Sequence, residues 1–242
     1  MSQLPQIQSA EATGAAEART ETRRTLGAVP NSEAVRQKRR LTARGAMTRS
    51  RIVQAAAELF HVKGVNAVTL DDVRAASGTS KSQLYHHFAD KDELVRAVIA
   101  FQTEAILTRD RQYLERMNSF RALQRWTDTI INLNAIQDGA YGCPLGTIAS
   151  ARAGTDSGAR AMLEASFVEW VGVIAAGLRR MKENGSLQAD ADPDRLAVSL
   201  MAALQGGYLL AQTARDTTPM RIAIQMALDH INSYTLAPEK QL

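Results

Sequence analysis

Residues 69–94, which read TLDDVRAASGTSKSQLYHHFADKDEL, decide the fold of this chain. Thr69 suits a helix N-cap, and Asp72 stands three residues later, as in a capping box. Gly78 ends that helix, and a second short helix begins by Ser80. Two short helices joined by a tight turn that contains glycine predict a helix-turn-helix.

The second of these helices has the pattern of a helix that reads DNA. Leu84 and Phe88 lie on one face and are predicted to be buried, which leaves the polar face free. The major groove admits a single α-helix, whose N-terminal side chains reach the base edges. Gln83 can form a bidentate pair with adenine, and Lys81 can reach a guanine edge or a phosphate. The residues predicted to contact DNA are Thr69, Ser80, Lys81, Ser82, Gln83, Tyr85, His86, His87 and Lys91.

The same run resembles the DNA-binding domain of TetR-family regulators. The family's motif has Leu-Tyr, a variable residue and His-Phe, followed by Lys-(Asp/Glu)-x-Leu. Here these positions are Leu84-Tyr85, His86, His87-Phe88 and Lys91-Asp92-Glu93-Leu94. The resemblance implies that Lys81, Ser82 and Gln83 face the bases. It implies that Tyr85, His87 and Lys91 hold the DNA backbone.

Upstream of this run, the first 46 residues differ from the rest of the chain. They carry eight Arg or Lys against four Glu, whereas 47–242 hold 21 basic and 21 acidic residues. They have no apolar residues at helical spacing, so we predict a disordered basic arm, with a first helix that begins at Thr48. A basic arm suggests a polyanion partner, although a merely solubilising tail explains the charge about equally well.

Downstream, apolar residues keep the 3.6-residue period, and sustained period-two alternation is missing. The fold is therefore predicted to be all-α. Five helical blocks are expected at 119–137, 143–153, 157–184, 194–215 and 219–236. The predicted organisation is a disordered arm (1–46), a three-helix helix-turn-helix domain (47–95), a larger helical domain (96–236) and a tail (237–242).

By the resemblance, the larger domain holds a small-molecule effector and pairs with a second subunit. The regulator would then be a homodimer that represses transcription at a palindromic operator until an apolar or aromatic molecule releases it. An alternative is that the apolar stripes of the last two helices only close the monomer's own core. The predicted effector contacts are Phe101, Trp126, Ile130, Cys143, Phe167 and Trp170.

The segment Gly142-Cys143-Pro144-Leu145-Gly146 is the most unusual feature of this half. It resembles the Gly-Cys-Pro-x-Gly segment of a TetR branch that includes flavonoid- and lincomycin-responsive repressors. Those relatives commonly carry an acidic residue where this chain has Ala151, which weakens any transfer of ligand class. Cys143 is interpreted as a packed structural cysteine in preference to a redox sensor.

Several other classes of protein are not favoured. The sequence shows no phosphate loop, nucleophile elbow, paired carboxylates or metal-ligand spacing, so we predict neither an enzyme nor a cofactor. Apolar runs are too short to span a bilayer and no secretory signal is visible, so we expect no membrane partner and a cytoplasmic location. A structural nucleic-acid binder without an effector remains an alternative.

Overall fold

The computed structural model describes residues 42–136, 139 and 141–236. Within them, the chain forms helices and a single isolated bridge between Leu187 and Thr235, which confirms the all-α prediction. The helices are α1 (Ala43–Lys63), α2 (Leu70–Ser77), α3 (Lys81–His87), α4 (Lys91–Leu114), α5 (Phe120–Ala135), α6 (Pro144–Arg152), α7 (Ser157–Glu183), α8 (Pro193–Ala214) and α9 (Thr218–Asn232).

The first helix begins earlier than the sequence pattern indicated. Thr42 is its N-cap, because the Thr42 hydroxyl accepts a hydrogen bond from the Gly45 amide at 3.2 Å. Thr48 lies buried inside the helix, where its hydroxyl donates to the carbonyl of Arg44 at 3.0 Å. Residues 43–46 are therefore helical, contrary to their prediction as disordered. The rest of the predicted arm, up to residue 41, and the predicted tail at 237–242 lie outside the described residues.

The short helices of the N-terminal part are set by their caps. Thr69 begins α2 with a complete capping box, and Gly78 ends it in the left-handed region at φ 62°. Because a side chain is disfavoured there, glycine lets the chain turn at once into α3. Leu84 and Phe88 then enter the same core as Ile52 of α1. This packing fixes the angle of α3 on α1.

The helices α4 to α9 form the larger helical part, and the five predicted blocks match α5 to α9 closely at their ends. The long helix α4 contacts α1 at one end and α5, α6 and α7 along its length. It therefore connects the two parts of the protein. The inward face of α4 carries Val98, Ile99 and Ile106, whereas Phe101 is 40% exposed on the outer face.

Two helices, α7 and α8, are long and apolar enough to cross a membrane by length and composition alone. They pack against each other, and α4 and α9 cover them further. Trp170 and Leu200 are among their fully buried side chains. Core helices of globular proteins have this composition too, so these two do not indicate a membrane protein.

The helices α8 and α9 approach each other closely at Gly207. A Cβ atom built on Gly207 would lie 2.9 Å from the Cα atom of Met220 and 3.1 Å from its Cγ atom. Any side chain at this position would push the two helices apart. Glycine is therefore required here by the close approach of two backbones.

Candidate nucleic-acid interface and effector cavity

The helix α3 presents a polar face on a buried apolar support. Ser80 is its N-cap and forms a capping box with Gln83. Leu84 on its inner side is buried, with Phe88 just beyond its end. The exposed side chains of α3 and its cap are those of Ser80, Lys81, Ser82, Gln83, Tyr85 and His86. The structure thus brings the predicted reading residues together on one surface.

Gln83 already makes a hydrogen bond that DNA would have to replace. Its side-chain Oε1 atom accepts a hydrogen bond from the backbone N–H of Ser80 at 2.9 Å. The backbone N–H of Gln83 donates to the Ser80 hydroxyl at 3.1 Å. An exposed bond of this kind contributes about 0.5–1.5 kcal/mol net. A bidentate pair with adenine discriminates by about 1–3 kcal/mol. The pair with adenine is therefore worth at least as much as the capping hydrogen bond that Gln83 would give up to form it.

Thr69 has its hydroxyl engaged in the α2 cap. It donates to Oδ2 of Asp72 at 2.6 Å, and this oxygen also accepts the Thr69 amide at 2.8 Å. These bonds hold the pKa of the Asp72 carboxyl below its usual value. The predicted DNA contact of Thr69 has to share its hydroxyl with this cap.

The start of α1 lies beside the reading helix, which the sequence did not reveal. Thr42, Arg44 and Gly45 line one wall of a surface cleft of about 360 Å³, together with Thr48. The opposite wall is formed by Ser82, Gln83, His86 and His87 of α3. Arg44 belongs to the basic run of the chain, and this was the only signal that pointed to it.

The two adjacent histidines differ in their surroundings. His86 is exposed, and its ring lies 5.2 Å from that of the half-buried His87. Burial lowers the pKa of His87, and the neighbouring His86 and Arg49 lower it further. The Arg49 guanidinium itself lies 5.0 Å from the centre of the Phe88 ring. Arg49 and the two imidazole rings thus follow directly on the polar face of α3.

Lys91 begins α4 next to this surface and is half-buried. Burial lowers its pKa, and nearby Arg152 lowers it further. Arg152 ends α6 and pairs with Asp92, while Arg96 pairs with Asp156 at 3.0 Å. The first turns of α4 are therefore tied by ion pairs to the C-terminal part.

The predicted effector contacts do not share one site. Trp126, Ile130 and Trp170 are fully buried in the core, and Phe167 stacks on Trp170 with ring centres 6.5 Å apart. Phe101 faces outward on α4. Cys143 alone of the six lines a described cavity, a half-open space of about 300 Å³ between α6 and α8. Burial raises the pKa of the Cys143 thiol, so this packed cysteine holds little thiolate and reacts slowly with thiol reagents.

The last two helices carry a patch of exposed apolar side chains. Leu209 of α8 is 63% exposed, and Ile222 and Met226 of α9 are 66% and 65% exposed. Val198 and Leu210 of α8 are more than half exposed too. Exposed apolar side chains clustered on one surface commonly mark a protein interface.

These features define a helix-turn-helix DNA-binding protein with a separate helical domain, and comparisons with known proteins agree. Residues 52–98 match the model of bacterial regulatory proteins of the tetR family. Residues 119–226 match the model of the LmrA/YxaF-like transcriptional regulator C-terminal domain. The chain is a TetR-family transcriptional regulator.

Relatives and solved structures extend along most of the chain. The HTH-type transcriptional regulator YxaF of Bacillus subtilis is 27% identical over 182 residues, which cover 74% of this chain and 92% of the relative. The HTH-type transcriptional repressor DhaR of a Mycobacterium species is 26% identical, covering 71% and 86%. The structure of a TetR regulatory protein from Rhodobacter sphaeroides superposes with a TM-score of 0.70 at 22% identity, over 76% of this chain and 98% of that one. A TetR regulator from Chloroflexus aurantiacus gives 0.66 at 26% identity, over 81% and 100%.

Proposed function

We propose that this protein is a cytoplasmic homodimeric repressor that binds a palindromic operator and leaves it when a small molecule binds the C-terminal part. The exposed polar face of α3 carries this proposal, because it offers short polar side chains near the N-terminus of a helix whose other face is fixed in the core. Lys81, Ser82 and Gln83 read bases. Contacts to phosphates come from Thr69, Ser80, Tyr85, His86, His87 and Lys91.

The effector acts by binding one conformation better than the other. Its differential affinity shifts the equilibrium between the DNA-binding and released forms. The ion pairs of Arg152 with Asp92 and of Arg96 with Asp156 join α6 and the start of α7 to the first turns of α4. A displacement of α6 would therefore reach Lys91. From the Gly-Cys-Pro-x-Gly segment we also propose that this protein belongs to the TetR branch that includes flavonoid- and lincomycin-responsive repressors.

Dimerisation is proposed to use the apolar patch of α8 and α9. Two such helices from each subunit would form a four-helix interface around a two-fold axis. This arrangement would place two copies of α3 on one face of the dimer. Two copies of one reading helix require two half-sites, which is why a palindrome is expected.

A pair of charge substitutions tests the dimer and its DNA requirement together. Met226→Glu places a charge in the patch, whereas Val168→Glu places one at a residue of α7 that is equally exposed, at 67%. Sedimentation should show a monomer for Met226→Glu and a dimer for the wild type and Val168→Glu. The monomer should lose most of its affinity for a two-half-site duplex. A monomeric wild type, or a Met226→Glu dimer, would contradict the proposal.

A further inference from the structure

The cavity between α6 and α8 is lined by uncharged side chains, and its exposed wall is more apolar than polar. Cys143, Thr147 and Ser150 contribute the α6 side, and Gln205, Tyr208 and Gln212 contribute the α8 side. Leu209 lies at its rim and is largely exposed. Its volume of about 300 Å³ is at the lower end of the range of small-molecule sites.

The glycines of the Gly142–Gly146 segment make room for the two glutamine side chains. A Cβ atom on Gly142 would lie 3.0 Å from Oε1 of Gln212, and one on Gly146 would lie 3.0 Å from Oε1 of Gln205. Between them, Cys143 caps α6, since its Sγ atom accepts from the Gly146 amide at 3.5 Å. The unusual segment therefore builds a wall against which two amide groups rest.

Charges near this wall occur as a balanced pair. Arg109 donates to Oδ1 of Asp110 at 2.6 Å, and Asp110 is only 1% exposed. Arg109 lies close enough to Cys143 and Tyr208 to lower the pKa of both, and Asp110 acts on the pKa of Tyr208 in the opposite direction. Its other carboxylate oxygen, Oδ2, has no hydrogen-bond partner within the described residues. This oxygen is itself buried, and Asp110 is not among the residues that line the cavity, so the carboxylate offers no contact to a molecule bound there.

We propose that this cavity is the effector site required by the proposed function, and that it takes an uncharged molecule that both donates and accepts hydrogen bonds, held by the side-chain amides of Gln205 and Gln212. A carboxamide has this chemistry. This inference rests on the proposed function and adds the class of ligand to it.

Because the cavity wall carries no net charge, we expect the ligand to be neutral. A charged group that leaves water without a counter-charge loses several kcal/mol of solvation. A neutral amide instead gains hydrogen bonds worth about 0.5–1.5 kcal/mol each. Since the Arg109–Asp110 charges already neutralise each other, neither an anion nor a cation finds an unmatched partner here.

The test uses three probes of one size: benzamide, which is neutral, benzoate, which is an anion, and benzylamine, which is a cation. Binding to the full chain is measured by titration calorimetry. Cys143, the only cysteine of the chain, reports the location through its rate of reaction with a thiol reagent. We expect benzamide alone to bind. At about ten times its dissociation constant, it should slow the Cys143 reaction about tenfold.

The variants Gln205→Leu and Gln212→Leu should abolish this binding and protection, whereas Gln54→Leu, at an exposed site on α1, should change neither. All three should keep the helical content of the wild type and bind operator DNA without probe. Equal binding of benzoate or benzylamine, full binding by both glutamine variants, or no binding of any probe would overturn the proposal. So would a Cys143 rate that falls with protein concentration alone, because a second subunit would then fill the cavity. Failure of wild-type DNA binding would count against the proposed function alone, since probe binding is measured without DNA.

Discussion

Replacing Gly207 by alanine tests how tightly α8 and α9 are packed. The added Cβ atom would lie 2.9 Å from the Cα atom of Met220, which belongs to a backbone and cannot rotate away. Forcing an extra methyl group into a packed contact costs about 1–3 kcal/mol. The substitution also gains up to about 1 kcal/mol of helix propensity, because glycine is a poor helix former.

Gly172→Ala is the matched control for this substitution. Gly172 lies inside α7, is exposed and has no atom within 4 Å of the position of an added Cβ. This variant should therefore show the propensity gain alone, about 0.5–1 kcal/mol. The difference between the two variants isolates the cost of the contact.

The assay is thermal unfolding of wild type and both variants at one protein concentration, because the melting temperature of an oligomer depends on concentration. For a chain of this size, 1 kcal/mol corresponds to about 2–4 °C, so Gly207→Ala should melt roughly 2–12 °C below Gly172→Ala. Equal melting temperatures would refute the close approach of the two helices.

Four further predictions concern DNA binding and pH. Gln83→Ala should relax the preference at one base step by about 1–3 kcal/mol, as measured by competition among variant duplexes; an unchanged preferred site would mean that the reading face is misplaced. Lys91→Ala should weaken specific and non-specific binding alike and lower the salt slope by about 1, and an effect on the specific site alone would contradict a phosphate contact. Arg44→Ala should lower the salt slope by about 1 if the cleft beside α3 receives a phosphate, whereas an unchanged slope would remove Arg44 from the interface. Burial lowers the pKa of His61, so the unfolded state binds the proton more readily below about pH 6.5. The contribution of His61 to stability is therefore full above that pH and is lost as the pH falls, and urea unfolding should show a weaker loss for His61→Asn.

The helix-turn-helix formed by α2 and α3 could be predicted from the sequence because the residues that determine it act locally. Thr69, Gly78 and Ser80 act on neighbouring backbone groups, and each cap formed where the pattern placed it. The predicted start of α1 was wrong because both Thr42 and Thr48 are followed by sequence that can form a helix. Thr42 is the N-cap of the helix, whereas the Thr48 hydroxyl donates a hydrogen bond to a backbone carbonyl inside the helix.

The C-terminal part shows where local patterns stop being sufficient. Phe101 was predicted to contact the effector, but the inward face of α4 follows Ile99 and Ile106, and Phe101 is exposed on the outer face. The cavity depends on residues of α6 and α8 that are about 60 positions apart, such as Cys143 and Gln205. Their proximity results from packing of the whole bundle, and a single sequence carries no signal for it. The sequence therefore identified Cys143 as unusual without identifying its partners.

The central claim is that α3 gives this protein a sequence-specific, two-fold symmetric DNA site. The most direct test is selection of bound sequences from a pool of random duplex DNA with the purified protein. We predict recovery of an inverted repeat whose two half-sites are spaced for two copies of α3. Recovery of no enriched sequence, or of a single half-site without symmetry, would contradict the claim.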